Sequence, residues 1–270
     1  MDKIMIFIPM YNCEKQIIRV LSQINKNVCK YVDEIVIINN RSTDNSENVA
    51  IEYFNNNNFD AKLTVLRNDN NYNLGGSHKV AFDYAIKNNY DYVIVLHGDD
   101  QGNIHDLLPY LRNDEYKKYD CFLGSRFMKG SKLDGYSKFR TFGNRVYNII
   151  FSIALGRNIS DLGSGLNMYN VDILKNKFYI KYPDRLTFNC YMLLASNCYK
   201  QNIKFFPISW REDDQVSNVK MISQAFTTLG LVFNYFFRRK RFLEGEHREK
   251  IINKYSAKKI YSKESSKNEK

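Results

Sequence analysis

The densest chemistry in the chain lies in His97-Gly98-Asp99-Asp100-Gln101, directly after the apolar run Tyr92-Val93-Ile94-Val95-Leu96. A buried strand that stops at His, Asp and Gln delivers metal-capable side chains to the carboxyl edge of a sheet, where open α/β folds bind their ligands. Asp99 and Gln101 offer oxygens with one residue between them, and His97 adds a nitrogen on the same side of an extended chain. Such a set suits Mg²⁺ or Mn²⁺ held partly by a diphosphate, because these ions keep coordination positions open for substrate oxygens. Gly-Asp-Asp is also ordinary turn chemistry, with Asn103 placed to cap the following helix. The stretch alone leaves both readings open.

A second such place is Gly75-Gly76, at the start of a helix running through Val80, Ala81, Tyr84, Ala85 and Ile86. Glycines there permit close approach of a diphosphate to the positive helix end, or equally a tight helix packing.

Elements that could position these groups alternate along the first hundred residues. Ile4 to Ile8 is expected to be a strand and Glu14 to Ile24 a helix with Ile17, Ile18, Leu21 and Ile24 on one stripe. Glu34 to Ile38 is the next strand, ending at the polar run Asn39-Asn40-Arg41-Ser42-Thr43-Asp44, and Leu63 to Leu66 and Asp91 to Leu96 follow. Strands separated by helices of this length imply right-handed crossovers and a mostly parallel central sheet flanked by helices, an α/β fold. Beyond Gln101 the pattern loosens. Asp120 to Gly124 is expected as a strand leading into Ser125-Arg126, then come a glycine- and lysine-rich loop, a long helix from Arg140 to Ile153, and the polar turn Asp161-Leu162-Gly163-Ser164-Gly165. Phe188 to Ala195 and Ile203 to Ile208 are expected as helix and strand.

Two hundred and seventy residues, 44% of them hydrophobic, are enough for one large domain or a domain with an appendage. Five scattered cysteines without a CxxC pair point to a reducing compartment and against a thiolate zinc site. No signal peptide can be parsed before the first strand, and Met221 to Phe237 is short and interrupted for a membrane span. The formal charge of +11 concentrates in the last residues, where twelve Lys/Arg stand against five Glu from Arg238 onward. Without zinc-finger spacing or an aromatic RNA-binding box, nucleic acid is not the expected partner. Arg238-Arg239-Lys240-Arg241 directly after a helix carrying Leu229, Val232, Phe233, Phe236 and Phe237 suits anionic lipid headgroups, or else forms a solvated end. The expected division is 1–220 for the catalytic part and 221–270 for an amphipathic helix with a basic tail.

Taken together, Ile8-Pro9-Met10-Tyr11-Asn12 with Glu14, Asn39 to Asp44, Asn73-Leu74-Gly75, His97 to Gln101, Gly124-Ser125-Arg126, Asp161 to Gly165 and Ser217-Asn218-Val219-Lys220 occur in the order and spacing of family 2 glycosyltransferases. The chain most resembles the dolichyl- and polyprenyl-phosphate sugar transferases and their bacterial surface-glycan relatives, over about residues 4 to 225. The resemblance implies a GT-A fold and inverting transfer from a nucleotide-diphosphate sugar. It implies that Pro9, Tyr11, Asn12 and Glu14 lie against the base and ribose, that Asn39 and Asn40 match a base-contacting Asp pair, and that His97, Asp99 and Gln101 match the metal-binding Asp-x-Asp and its following Gln. His97 replaces the first Asp of that motif, supplying a neutral nitrogen where an anionic oxygen is usual.

Transfer of this kind leaves a nucleoside diphosphate whose developing charge needs cations, for which Arg126, Arg211 and Lys220 are the candidates, with Gly75 and Lys79 on the donor side. A hydroxyl acceptor needs a carboxylate base within reach, whereas an acceptor phosphate is already an anion. Thr187-Phe188-Asn189-Cys190 stands where hydroxyl-using relatives carry Glu-Asp, which leaves Asp161 as the substitute base. The sequence therefore favours a polyprenyl-phosphate acceptor at the cytoplasmic face of the cell membrane, with a hydroxyl of a polysaccharide or glycolipid as the alternative and a non-catalytic nucleotide-sugar-binding protein as a third reading.

Overall fold

The structure is a computed structural model that describes residues 2–212 and 221–266. Strands β1 (Ile4–Met10), β2 (Glu34–Asn39), β3 (Lys62–Asn68) and β4 (Tyr92–Leu96) alternate with helices α1 (Ile17–Gln23), α2 (Lys26–Cys29), α3 (Ser46–Asn56) and α4 (Asn73–Lys87). There follow α5 (Leu108–Arg112), β5 (Cys121–Ser125), β6 (Lys132–Asp134), α6 (Lys138–Leu155), β7 (Leu166–Asn170), α7 (Phe188–Cys198), β8 (Ile203–Pro207) and β9 (Ser209–Arg211). The chain ends in α8 (Met221–Phe237), α9 (Arg239–Glu244) and β10 (Ala257–Lys263).

Eight strands form one sheet in the order β10-β3-β2-β1-β4-β7-β5-β8, and β6 with β9 makes a small parallel ribbon beside it. The first four strands pair in parallel, as do β5 and β8. However, β7 runs antiparallel to both β4 and β5, and β10 antiparallel to β3. The sheet is therefore mixed: six of its eight strands run the same way, as a mostly parallel sheet requires, and β7 and β10 are the two reversals. The reversal at β7 is hidden in the sequence because Leu166-Asn167-Met168-Tyr169-Asn170 carries a polar residue in its middle. Asn167 is nonetheless buried, its amide donating to Ser164 O at 2.8 Å and its Oδ1 accepting from Gly124 N at 3.3 Å.

Helices cover both faces, which explains why the central strands are apolar at nearly every position. Along β1, Ile4, Ile6 and Ile8 enter the layer that contains α1, α3 and α5, while Met5 and Phe7 enter the layer that contains α4 and α7, as the period of two requires.

Part of the segment expected as a basic tail is built into the domain. Phe242 of α9 is fully buried, Tyr255 nearly so, and Ala257–Lys263 extends the sheet along the edge of β3. Lysines at 258, 259 and 263 gave this strand the composition of a tail, yet charged residues, lysine above all, are how an exposed sheet edge avoids pairing with other chains.

Strand direction decides where the site forms. Because β1, β2, β4, β5 and β8 run the same way and β7 opposes them, the carboxyl ends of the first five and the amino end of β7 share one edge. The loops after residues 10, 39, 96 and 125 and the turn at 161–165 meet there.

Candidate active site

At that edge His97 and Asp99 leave β4 side by side, with His97 Nδ1 3.9 Å from Asp99 Oδ2. Gly165 makes room for this arrangement. A Cβ on it would sit 2.9 Å from His97 Cγ, and its carbonyl accepts from His97 N at 2.9 Å. Burial pushes the His97 imidazole down to about 4, helped by the nearby Arg126 charge, so the ring is neutral at physiological pH. Its Nε2 is buried with no hydrogen-bond partner, so Nδ1, on the Asp99 side, is the ring nitrogen that faces a ligand. The Asp99 carboxyl is pushed up to about 6 by desolvation, which outweighs the Gln101 N–H and the Arg126 field, although the side chain keeps about a third of its exposure.

These donors fit a divalent ion. Adjacent ligands at about 2.1 Å from an octahedral cation stand about 3 Å apart, so the His97 nitrogen and the Asp99 oxygen, separated by 3.9 Å, would close by somewhat under about 1 Å to share it. Among the described residues no group of three His, Cys, Asp or Glu forms a full cage, so such an ion would need further oxygens from a substrate. Gln101 contributes through its main chain, donating to Asp99 Oδ1 at 3.3 Å and accepting from Arg211 N at 3.0 Å.

Asp100, given no role in the sequence reading, is the hub of the loop. Its φ of 61° lies in the left-handed region, which Asp tolerates better than most residues. The buried carboxylate is held by Arg19 at 2.5 Å, by Gln23 at 3.0 Å and by the Arg211 guanidinium. Arg211 also donates to the Asp100 carbonyl at 2.9 Å, so its charge is largely met inside the protein. The doubled Asp was the available signal, but its partners on α1 are too distant in sequence to be inferred.

Arg126 and Asp161 were expected separately and are found together. The guanidinium meets the carboxylate with two bonds of 2.8 Å, the Arg126 N–H adds a third at 2.9 Å, and the Trp210 and Phe127 rings flank the cation at 5.0 and 5.1 Å. Asp161 is therefore not a free base in this state.

Of the expected donor-side residues, Pro9 lies at the edge, accepting from Gly98 N at 3.2 Å, and Tyr11 is half exposed. Asn12 and Glu14 tie the first loop to the second: Thr43 N donates to Asn12 Oδ1 at 2.8 Å and Asn45 N to Glu14 Oε2 at 3.2 Å. Asn39 and Asn40 are buried. Asn39 Nδ2 donates to Glu47 Oε2 at 2.5 Å, and Asn40 Oδ1 accepts from Asn68 Nδ2 at 2.9 Å and Tyr72 N at 2.8 Å.

Gly75 and Lys79 are not available to a diphosphate. Gly75 N donates to Asp184 O at 2.6 Å, and a Cβ there would lie 2.6 Å from Pro183 O, so the glycine serves helix packing. The Lys79 ammonium is fully buried against Tyr182 O at 2.6 Å, Asp184 at 2.7 Å and the Tyr255 hydroxyl at 3.2 Å. Lys220 falls outside the described residues.

Residues 5–178 match the protein family described as Glycosyl transferase family 2, and the chain belongs to it. It is a glycosyltransferase with an α/β fold whose large mixed sheet is flanked by helices. An uncharacterized protein of Methanocaldococcus jannaschii is 23% identical over 207 residues, 77% of this chain and 81% of that protein. Among solved structures, S. aureus TarS 1-349 in complex with UDP-GlcNAc is similar, with a TM-score of 0.56 and 17% identity over 85% of this chain and 65% of that one. Glucosyl-3-phosphoglycerate synthase from Mycobacterium tuberculosis, in complex with Mn²⁺, uridine-diphosphate-glucose and glycerol 3-phosphate, has a TM-score of 0.54 and 14% identity over 88% and 80% of the two chains. At these identities the likeness is one of fold.

Proposed function

We propose that the chain is a GT-A-type enzyme that moves a sugar from a nucleoside diphosphate sugar to a hydroxyl-bearing acceptor, a glycan or a small metabolite. The observation that carries the donor half is the neutral His97 nitrogen facing the Asp99 carboxylate at 3.9 Å on the carboxyl edge of the sheet. His97 and Asp99 would hold Mg²⁺ or Mn²⁺, and an ion bound there offsets charge on the departing diphosphate. Pro9, Tyr11, Asn12 and Glu14 line the side toward β2, where base and ribose would lie. The hydroxyl acceptor is supported by the similar synthase crystallised with UDP-glucose and glycerol 3-phosphate. On this reading Arg126 turns from Asp161 to the donor diphosphate, and the released carboxylate takes the acceptor proton.

A second reading, a polyprenyl phosphate as acceptor at the cytoplasmic face of an anionic membrane, is favoured by the closed Arg126–Asp161 pair, since an acceptor phosphate needs no base. The variant Asp161→Asn separates the two. A base role predicts transfer to hydroxyl acceptors reduced by at least about a hundredfold in kcat with donor binding kept. Transfer to polyprenyl phosphate that survives Asp161→Asn, with no turnover on hydroxyl acceptors in the parent, supports the second reading and contradicts the first.

A further inference from the structure

Helix α6 turns its apolar side outward. Phe139, Phe142, Val146, Ile149 and Ile153 recur every three or four residues, so they form one stripe, and four of them are exposed by 72%, 68%, 60% and 76% (Phe139, Phe142, Ile149 and Ile153). The opposite side of the helix buries Asn148, Phe151, Ala154 and Leu155. Helix α8, which packs on α6, does the same: Leu231 and Tyr235 face inward, while Phe233 and Phe237 are exposed by 54% and 74%. Soluble surfaces rarely leave so many large apolar side chains open on two adjoining helices.

We propose that α6 and α8 together form a platform that inserts into the headgroup region of an anionic lipid bilayer, with Phe139, Phe142, Ile149, Ile153, Phe233 and Phe237 entering it. The platform shares its membrane contact with the second functional reading but does not depend on which acceptor is used. Charge identifies the occupant. Neither α6 nor α8 contains a single Asp or Glu, and exposed cations border the stripe at Lys138 and Arg145 and at Arg238 to Arg241. A second copy of the chain seated on the same face would bring these cations against one another, whereas anionic headgroups neutralise them. No helix among the described residues is long and apolar enough to cross a membrane, so the platform lies on the bilayer.

The platform is coupled to the catalytic edge at two points. Arg140, in the first turn of α6, binds Glu212 with two contacts of 2.6 Å, next to Arg211. Asn148 Nδ2 donates to Ser160 O at 2.7 Å, next to Asp161. Insertion of α6 would therefore hold the Arg126–Asp161 pair close to the lipid surface.

The test is co-sedimentation of the full chain with phosphatidylcholine vesicles, with and without phosphatidylglycerol, beside the variant Phe139→Gln/Phe142→Gln/Ile149→Gln. These side chains are exposed, so the melting temperature should stay near that of the parent. The parent should bind the anionic vesicles and the variant should bind more than about tenfold more weakly, with the basic run intact. Equal binding of variant and parent overturns the platform. So does a parent that stays in solution with the vesicles, or one that forms a dimer which the variant dissociates. Donor-dependent thermal stabilisation, measured on the same two proteins, keeps the platform separate from the functional reading: its absence contradicts nucleotide-sugar binding and leaves the vesicle result standing.

Discussion

Asn39 and Asn40 stand where the family resemblance expects aspartates, and their surroundings account for the amides. Asn39 Nδ2 donates to Glu47 at 2.5 Å, and Glu47 is in turn ion-paired with Arg67, so a carboxylate at 39 would face a carboxylate with too little cation to share. Asn40 both donates, to Asn71 Oδ1 at 2.8 Å, and accepts, from Asn68 and the Tyr72 N–H, a combination an ionised Asp cannot make. Asn39→Asp is therefore expected to lower stability at pH 7 by about 2 kcal/mol, seen as a fall in the urea midpoint, and Glu47→Gln in the same chain should recover part of it. An unchanged midpoint would mean that Glu47 does not face residue 39 in solution. The Asp100 latch teaches the same lesson. The sequence marks which residues carry chemistry, but whether a charge is free for substrate depends on partners such as Arg19 that only the fold supplies.

At the scale of elements, the strands that alternate with helices were legible because buried parallel strands are continuous apolar runs bounded by polar loops. This covered β1 to β4 and helices α1 and α4, and with them the placement of His97 and Asp99 on a carboxyl edge, whereas the single-turn α2 carries no periodic stripe to reveal it. Strands β7 and β10 escaped because the first carries Asn167 in its interior and the second is a lysine-rich edge. Strand β10 has a consequence for the segment before it. Tyr255 donates its hydroxyl to Asp184 at 2.8 Å and receives Lys79 at 3.2 Å, so the end of the chain completes the surroundings of a buried ion pair. Tyr255→Phe should cost about 1–2 kcal/mol in denaturant unfolding, and truncation after Asn253, which also uncovers β3, at least about 3 kcal/mol. A truncated chain as stable as the parent would restore the picture of a solvated tail.

On the scale of the whole molecule, one sheet edge gathers the loops that carry His97, Asp99, Arg126 and Asp161, and the outward-facing helices α6 and α8 stand beside it. At that edge Asp99 is expected to make donor binding metal-dependent. The most direct measurement is the thermal shift produced by uridine, guanosine, cytidine and thymidine diphosphate sugars, with and without Mn²⁺ or Mg²⁺, for the parent and Asp99→Asn. Because the Asp99 carboxyl is pushed up to about 6, a proton competes with the metal below that pH, while His97, held down to about 4, stays neutral across the same window. The parent should show a metal-dependent shift with at least one donor at pH 7. Its apparent metal affinity should fall by about tenfold per pH unit below 6, and Asp99→Asn should melt normally without that shift. A metal-dependent shift in Asp99→Asn equal to that of the parent would contradict the assignment of Asp99 and the account of the site built on it.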